Sequence, residues 1–580
     1  MDSRSLRFVV HFLELAVAMA VGMFALDVLW AAILPAVGSR VDVYTVVMAT
    51  DMALGMALWM VIRGRSWARI LEMCVAVYVP FLILLPLFWA GAVSVGTLML
   101  VGHVLLVPAI IMVMLWRRSE YTSSWRRDGR RRFLWVGALV LAFAVPPAVV
   151  GTVRAVTYLN GVYEPPADSA VPALLGQARP VHDPSRPTAV VLLGNEGANA
   201  GDSLAPYETL AATGAFNLYT VAPQRRLVTL TGGLDLVPDL SFAELDQRLG
   251  AAAPEVIVVP ALPDATEPTS AALRGWLGRM HDNGATVISV CEGAAVVAAA
   301  GVLDGHGATT HWFRINGLEK RHPAVRWQRE TRYVDDGDVI STGGVLSGID
   351  GTLRYVERRL GIPAARDAAS AVGWKFYSPG KPAPLPHWTF GPREMITGVN
   401  LSFRPHQDIG VLLTDGVGEI ELASVFIAYS DVSYVARTST LGNGSVAPVR
   451  TRHGLTFVPR GTLAEASGLD RFVVPGAQVA RRNPVPDAAG VRPEYVHREP
   501  DFAFELVLED MARTVDVPTA RWRAKTLEYP PTALDLHGPG WPWGATLLPV
   551  LYGLLGVGAA VALRSALRRT RRPETDRTPH

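Results

Sequence analysis

The sequence predicts an α-helical membrane bundle joined to an α/β module built on parallel sheet, with the α/β part present twice and its second copy cut short. Three observations predict this. Half of the 580 residues are apolar, too many for an ordinary soluble protein, and the excess crowds into the first 155 positions. Residues 155–540 alternate short β-rich runs with helical stretches. The order of those runs then begins again near residue 409.

Runs of about 20 residues with few charges are long enough to cross a bilayer as helices. Five fall in the membrane domain, 1–155, at roughly 8–34, 43–62, 70–90, 93–115 and 133–153, and a sixth covers 541–563. The formal net charge of +2 hides an uneven placement of arginine. Arg4 and Arg7 precede the first span, Arg63, Arg65 and Arg69 separate the second from the third, and seven arginines from Arg117 to Arg132 separate the fourth from the fifth. Arg564, Arg568, Arg569, Arg571 and Arg572 follow the sixth. The positive-inside rule places all of these on the cytoplasmic side. A multi-pass protein of the bacterial cell membrane is therefore expected, with both termini and the basic tail 564–580 cytoplasmic and residues 155–540 outside. The lipid bilayer is its first partner. Arginines that flank apolar spans set topology, so no direct nucleic-acid binding is expected.

Ionisable residues within spans are costly and default to a functional hypothesis. The bundle has His11, Glu14, Asp27, Asp51, Glu72 and His103, and Met48, Met52, Met56 and Met60 recur at i, i+4 beside Asp51. Asp51, Met52, Met56 and His103 make a donor set that a transition metal would accept. The preferred account of the stripe is methionine packing between helices.

Pro187–Leu193, Asn217–Ala222, Glu255–Pro260 and Thr286–Val290 read as four strands, apolar runs that suit a sheet covered on both faces. Ile409–Leu413 echoes the first, Gly454–Pro459 echoes Gly233–Pro238, and Phe472–Pro475 echoes the third. An Ala-Glu pair, Ala243-Glu244 and Ala464-Glu465, follows each of those glycines at the same spacing, so duplication is expected. The first copy occupies 186–361, a Pro- and Gly-rich linker 362–407, and the shortened second copy 408–535. The second copy has no cysteine-bearing strand and closes on a helix over 502–513.

Cys291, one of two cysteines, ends the fourth strand in Val287-Ile-Ser-Val-Cys291-Glu-Gly293, ahead of an alanine-rich helix. A cysteine on such a turn has its sulfur held at the carboxyl end of the sheet, where a helix N-terminus favours negative charge and backbone N–H groups can hold an oxyanion. Ser289 and Gly293 supply the small residues the turn needs, and His311, after the next helix and turn, can return as a base or hydrogen-bond partner. Cys74 lies within the third span, so no disulfide to Cys291 is expected. There is no phosphate-binding loop and no zinc-type Cys/His cluster, and no cofactor is expected.

Val290-Cys-Glu-Gly293, Gly301-Val-Leu-Asp-Gly305, Ala308-Thr-Thr-His-Trp312, the run from Asp335 to Gly344, and Gly348-Ile-Asp350 together resemble the ThiJ/PfpI superfamily of class I glutamine amidotransferase-like domains. The likeness is greatest to the branch found in AraC-type regulators. It covers residues 186–361 and implies a flavodoxin-like parallel-sheet sandwich. It further implies Cys291 as nucleophile, His311 at the family's histidine position, Asp202 as the acid beside the thiol, and the N–H groups of Glu292 and Ala261 as an oxyanion pocket. Glu421 holds the place of Asp202 in the second copy. An exposed, activated thiol is implied too, with Glu292 and Asp202 acting on its pKa in a sense the sequence leaves open. Peptidase-like members have histidine directly after the cysteine, where this chain has Glu292. Glutamine-hydrolysing relatives have a late His-x-Glu pair, where this chain has Ser341-Thr-Gly-Gly344. Unlike AraC-type relatives, the chain ends in an apolar span and basic tail rather than a helix-turn-helix.

These features leave three functions in contention. One is a cysteine-dependent hydrolase or lyase for a small carbonyl compound or amide, not a glutaminase. The second is a ligand or redox sensor without turnover. The third is a metal or solute transporter with an accessory outer domain. Enzyme or not stays open at this level. The first two share an unidentified small molecule as partner, and the pairing of domains in this superfamily leaves homo-oligomers open.

Overall fold

The computed structural model describes residues 3–33, 41–89, 93, 95–117, 127–166, 180–478, 485–488, 490–499 and 501–570. Arg118, Arg126, Arg571 and Arg572, counted above among the basic flanks, lie outside the described residues. The chain divides into two compact units. Met1–Thr152, Gly391–Val399 and Trp543–His580 make up the first, Val153–Phe390 and Asn400–Pro542 the second.

The first unit is helical: α1 (Ser3–Ile33), α2 (Val41–Ile62), α3 (Trp67–Trp89), α4 (Val95–Trp116), α5 (Arg127–Gly161, whose end belongs to the second unit) and the C-terminal helix Trp543–Thr570. All six are long and apolar enough to cross a membrane. A Cβ on Gly22 would overlap the Asp51 carbonyl and one on Gly55 the Ala18 carbonyl, so the backbones of α1 and α2 meet through glycine. Met48, Met52, Met56 and Met60 are all buried in one apolar cluster with Met73 and Phe81, which is a packing role. Asp51 is 2% exposed. His103 turns its Nδ1 to the Met99 carbonyl of its own helix, 2.7 Å away, and meets Phe81 edge-on. Among the described residues, no group of three His, Cys, Asp or Glu side chains close enough to share an ion includes Asp51 or His103. Glu14 and Glu72 pair with Arg63 and Arg117, which stand just beyond the ends of α2 and α4.

The second unit is α/β. Its larger sheet comprises β1 (Thr188–Leu192), β2 (Asn217–Ala222), β3 (Leu240–Ser241), β4 (Val256–Val259), β5 (Thr286–Ser289), β6 (Tyr333–Asp335) and β7 (Val339–Thr342). Their order is β6-β7-β5-β4-β1-β2-β3, parallel except that β6 runs against β7. β1 and β4 are buried along their whole length, which accounts for their uninterrupted apolar runs. Helices that position the site are α6 (Ala200–Ala211), α7 (Gly293–Ala299) and α8 (Ser347–Leu360).

A second sheet holds β8 (Gln407–Leu413), β9 (Ala436–Gly442), β10 (Gly461–Thr462), β11 (Arg471–Val474) and β12 (Pro493–Tyr495), all parallel, in the order β10-β9-β8-β11-β12. The series β11-β8-β9-β10 repeats β4-β1-β2-β3, and β12 lies beside β11 where β5 lies beside β4. The halves join through strands and helices alike. Leu234–Val237 pairs antiparallel with Thr456–Val458, and α6 packs on α9 (Glu419–Tyr429). Residues 362–407, read from sequence as a linker, carry the helices Ile362–Ala371 and Pro392–Phe403. The expected closing helix is Ala503–Thr514, and a further one, α10 (Val517–Leu527), follows it.

Glycine is obligatory where α7 meets β4. A Cβ on Gly293 would overlap the Val259 carbonyl oxygen and press on Pro260, backbone that cannot swing aside. Gly293→Ala is expected to cost about 2 kcal/mol or more, read as a lower thermal midpoint of the detergent-solubilised chain. An unchanged midpoint would count against this turn.

Candidate functional site

The turn from β5 to α7 holds Cys291 at φ 56°, in the left-handed region. Non-glycine residues there carry about 1–2 kcal/mol of strain, and such strain collects at functional sites. Of the five described non-glycine residues with positive φ, three stand around this site: Cys291, Glu330 and Glu528. The Thr310 hydroxyl fixes the turn by donating to the Cys291 carbonyl at 2.8 Å. The Glu292 N–H points at the sulfur.

Cys291 is 8% exposed, and its thiol is pushed well above the ordinary cysteine range. Burial is the first cause, followed by the charges of Asp202, Glu292 and Glu528. This corrects the expectation of an exposed, activated thiol: burial and the three carboxyls outweigh the one nearby cation, the Arg314 guanidinium. Asp202, in the first turn of α6, is itself buried, which lifts its carboxyl well above the usual range. Its Oδ2 accepts the Ala261 N–H at 3.1 Å, and its Oδ1 has no partner. The Ala261 N–H is therefore engaged by Asp202 and not open to an oxyanion. Glu292 lies further out, 2.6 Å from Arg314 Nε.

His311 is buried, and burial lowers its pKa, so the imidazole is neutral at neutral pH. Its Nε2 lies 2.9 Å from the Thr526 carbonyl. A carbonyl only accepts, so Nε2 carries the proton and Nδ1 the lone pair. Thr526 belongs to α10, in the other half of the unit. The carbonyls from Lys525 to Glu528 at the end of that helix are each bound by the first half. Lys525 O accepts from Trp312 Nε1 at 3.3 Å, Leu527 O from the Leu346 N–H at 3.3 Å, and Glu528 O from Arg332 Nη2 at 3.0 Å.

Glu528, the residue sequence reasoning missed, sits at the end of α10 with φ 59° and is 1% exposed. Its carboxylate accepts from Ser347 Oγ and from the Gly344 N–H. It fills the space that Gly343 and Gly344 leave: a Cβ on either would collide with it, and one on Gly344 would also lie 3.1 Å from His311 Cδ2. The Gly343-Gly344 pair was the available signal, a gap facing the site that some other side chain must occupy.

Beside these groups opens a cavity of about 350 Å³ lined by Thr309, Thr310, Glu528 and the rings of Trp312, Phe313, Trp388 and Phe390. Phe313 and Phe390 stand 5.4 Å apart and Trp312 and Trp388 6.4 Å. In the second half Glu421 Oε1 accepts the Ala477 N–H at 2.8 Å, as Asp202 accepts that of Ala261. His497 follows β12 by the same two residues that separate Cys291 from β5, and it bonds the Gly476 N–H and Ser424.

Residues 188–358 match the DJ-1/PfpI family model. The isonitrile hydratase of Pseudomonas putida is 30% identical over 170 residues, 28% of this chain and 69% of that protein. The chain belongs to the DJ-1/PfpI family. Two transcriptional regulators are also similar: CdhR of Pseudomonas aeruginosa, 36% identical over 76 residues, and GlxA of Rhizobium meliloti, 27% identical over 169. The matches take in 13% and 29% of this chain and 23% and 50% of those proteins, under two thirds of either regulator. A solved DJ-1 superfamily protein from Salmonella typhimurium is 22% identical, with a TM-score of 0.29, over 33% of this chain and 99% of that one.

In this DJ-1/PfpI domain a thiol raised by burial and carboxylates stays protonated through neutral pH. Alkylation of Cys291 by iodoacetamide is expected to keep accelerating above about pH 8.5, where an ordinary cysteine levels off. Glu292→Gln should move that rise to lower pH. Because the folded value lies above the unfolded one, the thiol's contribution to stability is complete below the unfolded range and is lost as pH rises through the folded value. A rate already level at pH 8 would contradict the assignment.

Proposed function

We propose that this chain is a polytopic membrane protein displaying, outside the cytoplasm, a tandem DJ-1/PfpI module whose first copy binds or processes a small neutral molecule at Cys291. The observation that carries the reading is the strained, buried thiol set among carboxyls and a neutral histidine beside an aromatic cleft. Membrane display is supported by the six apolar helices and by the pairing of Glu14 and Glu72 with arginines beyond the helix ends. Duplication is supported by the repeated strand order and by matching caps. The Glu244 carboxylate accepts from the Ser241 N–H and Oγ, and the Glu465 carboxylate from the Thr462 N–H and Oγ1.

The chemistry that suits an uncharged thiol and imidazole is addition to a small electrophilic carbon. The sulfur adds to the carbon and opens its multiple bond as His311 takes the thiol proton and passes it to the adduct. Water then adds to the same carbon, the carbon–sulfur bond breaks, and the thiolate leaving with that electron pair is reprotonated through His311. The similarity to an isonitrile hydratase makes an isonitrile the first compound to test, with water added to give an N-substituted formamide. The purified chain is expected to convert an alkyl isonitrile, and Cys291→Ala to slow conversion by about a hundredfold or more. No conversion across isonitriles, aldehydes and amides, with binding retained in Cys291→Ala, would favour a sensor. The neutral, carboxyl-ringed thiol lends that second reading its support.

Topology has its own check. A Lys381→Cys probe on an exposed bend is expected to react with an impermeant maleimide on intact cells, while Ser66→Cys, in the basic loop after α2, should react only after permeabilisation. The reverse pattern would overturn the orientation.

A further inference from the structure

We propose that Glu528, delivered by the C-terminal half, is a working residue of the site, lining the aromatic cleft on one hand and acting on Cys291 on the other: its carboxylate sets the charge that a ligand of the cleft meets on its way to the thiol, so that the site admits neutral or cationic hydrogen-bond donors and rejects anions. This deepens the small-molecule reading above and rests on it.

Several independent features of Glu528 agree with that role and not with mere capping. Left-handed positions that end helices go by default to glycine, because a side chain there is strained. A glutamate keeps this one at φ 59° and 1% exposure, so both its backbone and its charge are held at a cost. The opposing backbone is shaped to receive it: Gly343 and Gly344 clear the space, and Ser347 Oγ and the Gly344 N–H donate to the carboxylate. It lines the cleft, and its charge acts on both Cys291 and His311.

The other charged groups that line or flank the cleft are each engaged by partners of their own. Arg329 is held by Glu319 and Asn316, and His387 by Glu330. Lys525 Nζ rests over the Trp312 ring at 5.2 Å and donates to the Thr389 carbonyl. A ligand therefore meets aromatic walls for a flat or apolar body and a carboxylate that accepts an N–H or O–H. An amide, amidine or amine fits that chemistry, and a carboxylate does not.

Two alkylating reagents of similar size test this in the full-length, detergent-solubilised chain with Cys74→Ala, so that Cys291 alone reports. Each forms a carbon–sulfur bond to the thiolate and expels iodide, but iodoacetamide is neutral and iodoacetate an anion. A change in thiol pKa alters both rates alike, so their ratio isolates the charge that the reagent meets. Relative to free cysteine, the wild type is expected to disfavour iodoacetate. Glu528→Gln should raise the iodoacetate-to-iodoacetamide ratio about tenfold, the weight of one pKa unit of charge interaction. Glu528→Asp, which keeps the charge, should retain the wild-type ratio, and a shared melting temperature would show that all three are folded. If Glu528→Gln does not fold, a wild-type ratio no lower than that of free cysteine overturns the assignment by itself. An unchanged ratio in a folded Glu528→Gln overturns Glu528 while leaving the pocket standing. A wild-type thiol that neither reagent reaches would overturn the pocket reading and this assignment with it.

Discussion

A helix end buried in protein must find donors for its last carbonyls, and α10 finds them on the other half of its unit. Trp312, His311, the Leu346 N–H and Arg332 each bind one of the carbonyls from Lys525 to Glu528. Much of the site follows from this docking. It fixes which nitrogen of His311 carries the proton, holds the indole of Trp312 as a cleft wall, and anchors the loop that begins α8. It also sets the backbone from which Glu528 projects. Arg332 is held in turn by Asp350, 3.3 Å away, and Asp350 accepts from Trp374 Nε1 at 2.9 Å, so the contact is braced from behind.

The resting electrostatics keep the thiol and the imidazole of the site uncharged. Burial keeps the Cys291 thiol protonated, the His311 imidazole neutral and the Asp202 carboxyl above its usual range. Isolated ions in such a place would be expensive, and neutralisation is the cheaper state. Asp202 Oδ1 is left without a partner, next to a thiol that needs one once it ionises. Under the proposed chemistry, charge would develop only when a ligand is attacked, the condition under which preorganised groups favour the transition state over the resting one.

The features legible in the sequence were those that depend on local periodicity or on a single unusual residue. Apolar runs gave the six long helices, and β-rich runs gave β1, β2, β4 and β5 to within two residues. The Cys291–Gly293 turn was readable because Gly293 admits no side chain against Val259. What escaped was long-range. Nothing in Thr526-Leu-Glu528 announces that these residues meet His311 and Gly343, because that contact exists only once the halves have docked. The sense of the thiol's pKa shift was hidden for the same reason, since burial and the Glu528 charge both come from elsewhere in the chain. The Pro-rich stretch 362–407 resembled a tether, yet it holds two helices and supplies Trp388 and Phe390 to the cleft.

The docking of α10 also orders events in time. A ribosome adding roughly 5–20 residues per second needs on the order of tens of seconds to travel from Cys291 to Glu528. Throughout that interval the nascent domain has its thiol and its histidine but not the helix that settles the imidazole or the glutamate that fills the gap at Gly343. Contacts spanning so much sequence are slow to close. The nascent pocket is thus chemically a different object from the mature one, and a chain released early would carry the family's cysteine in a site that never acquires its final form.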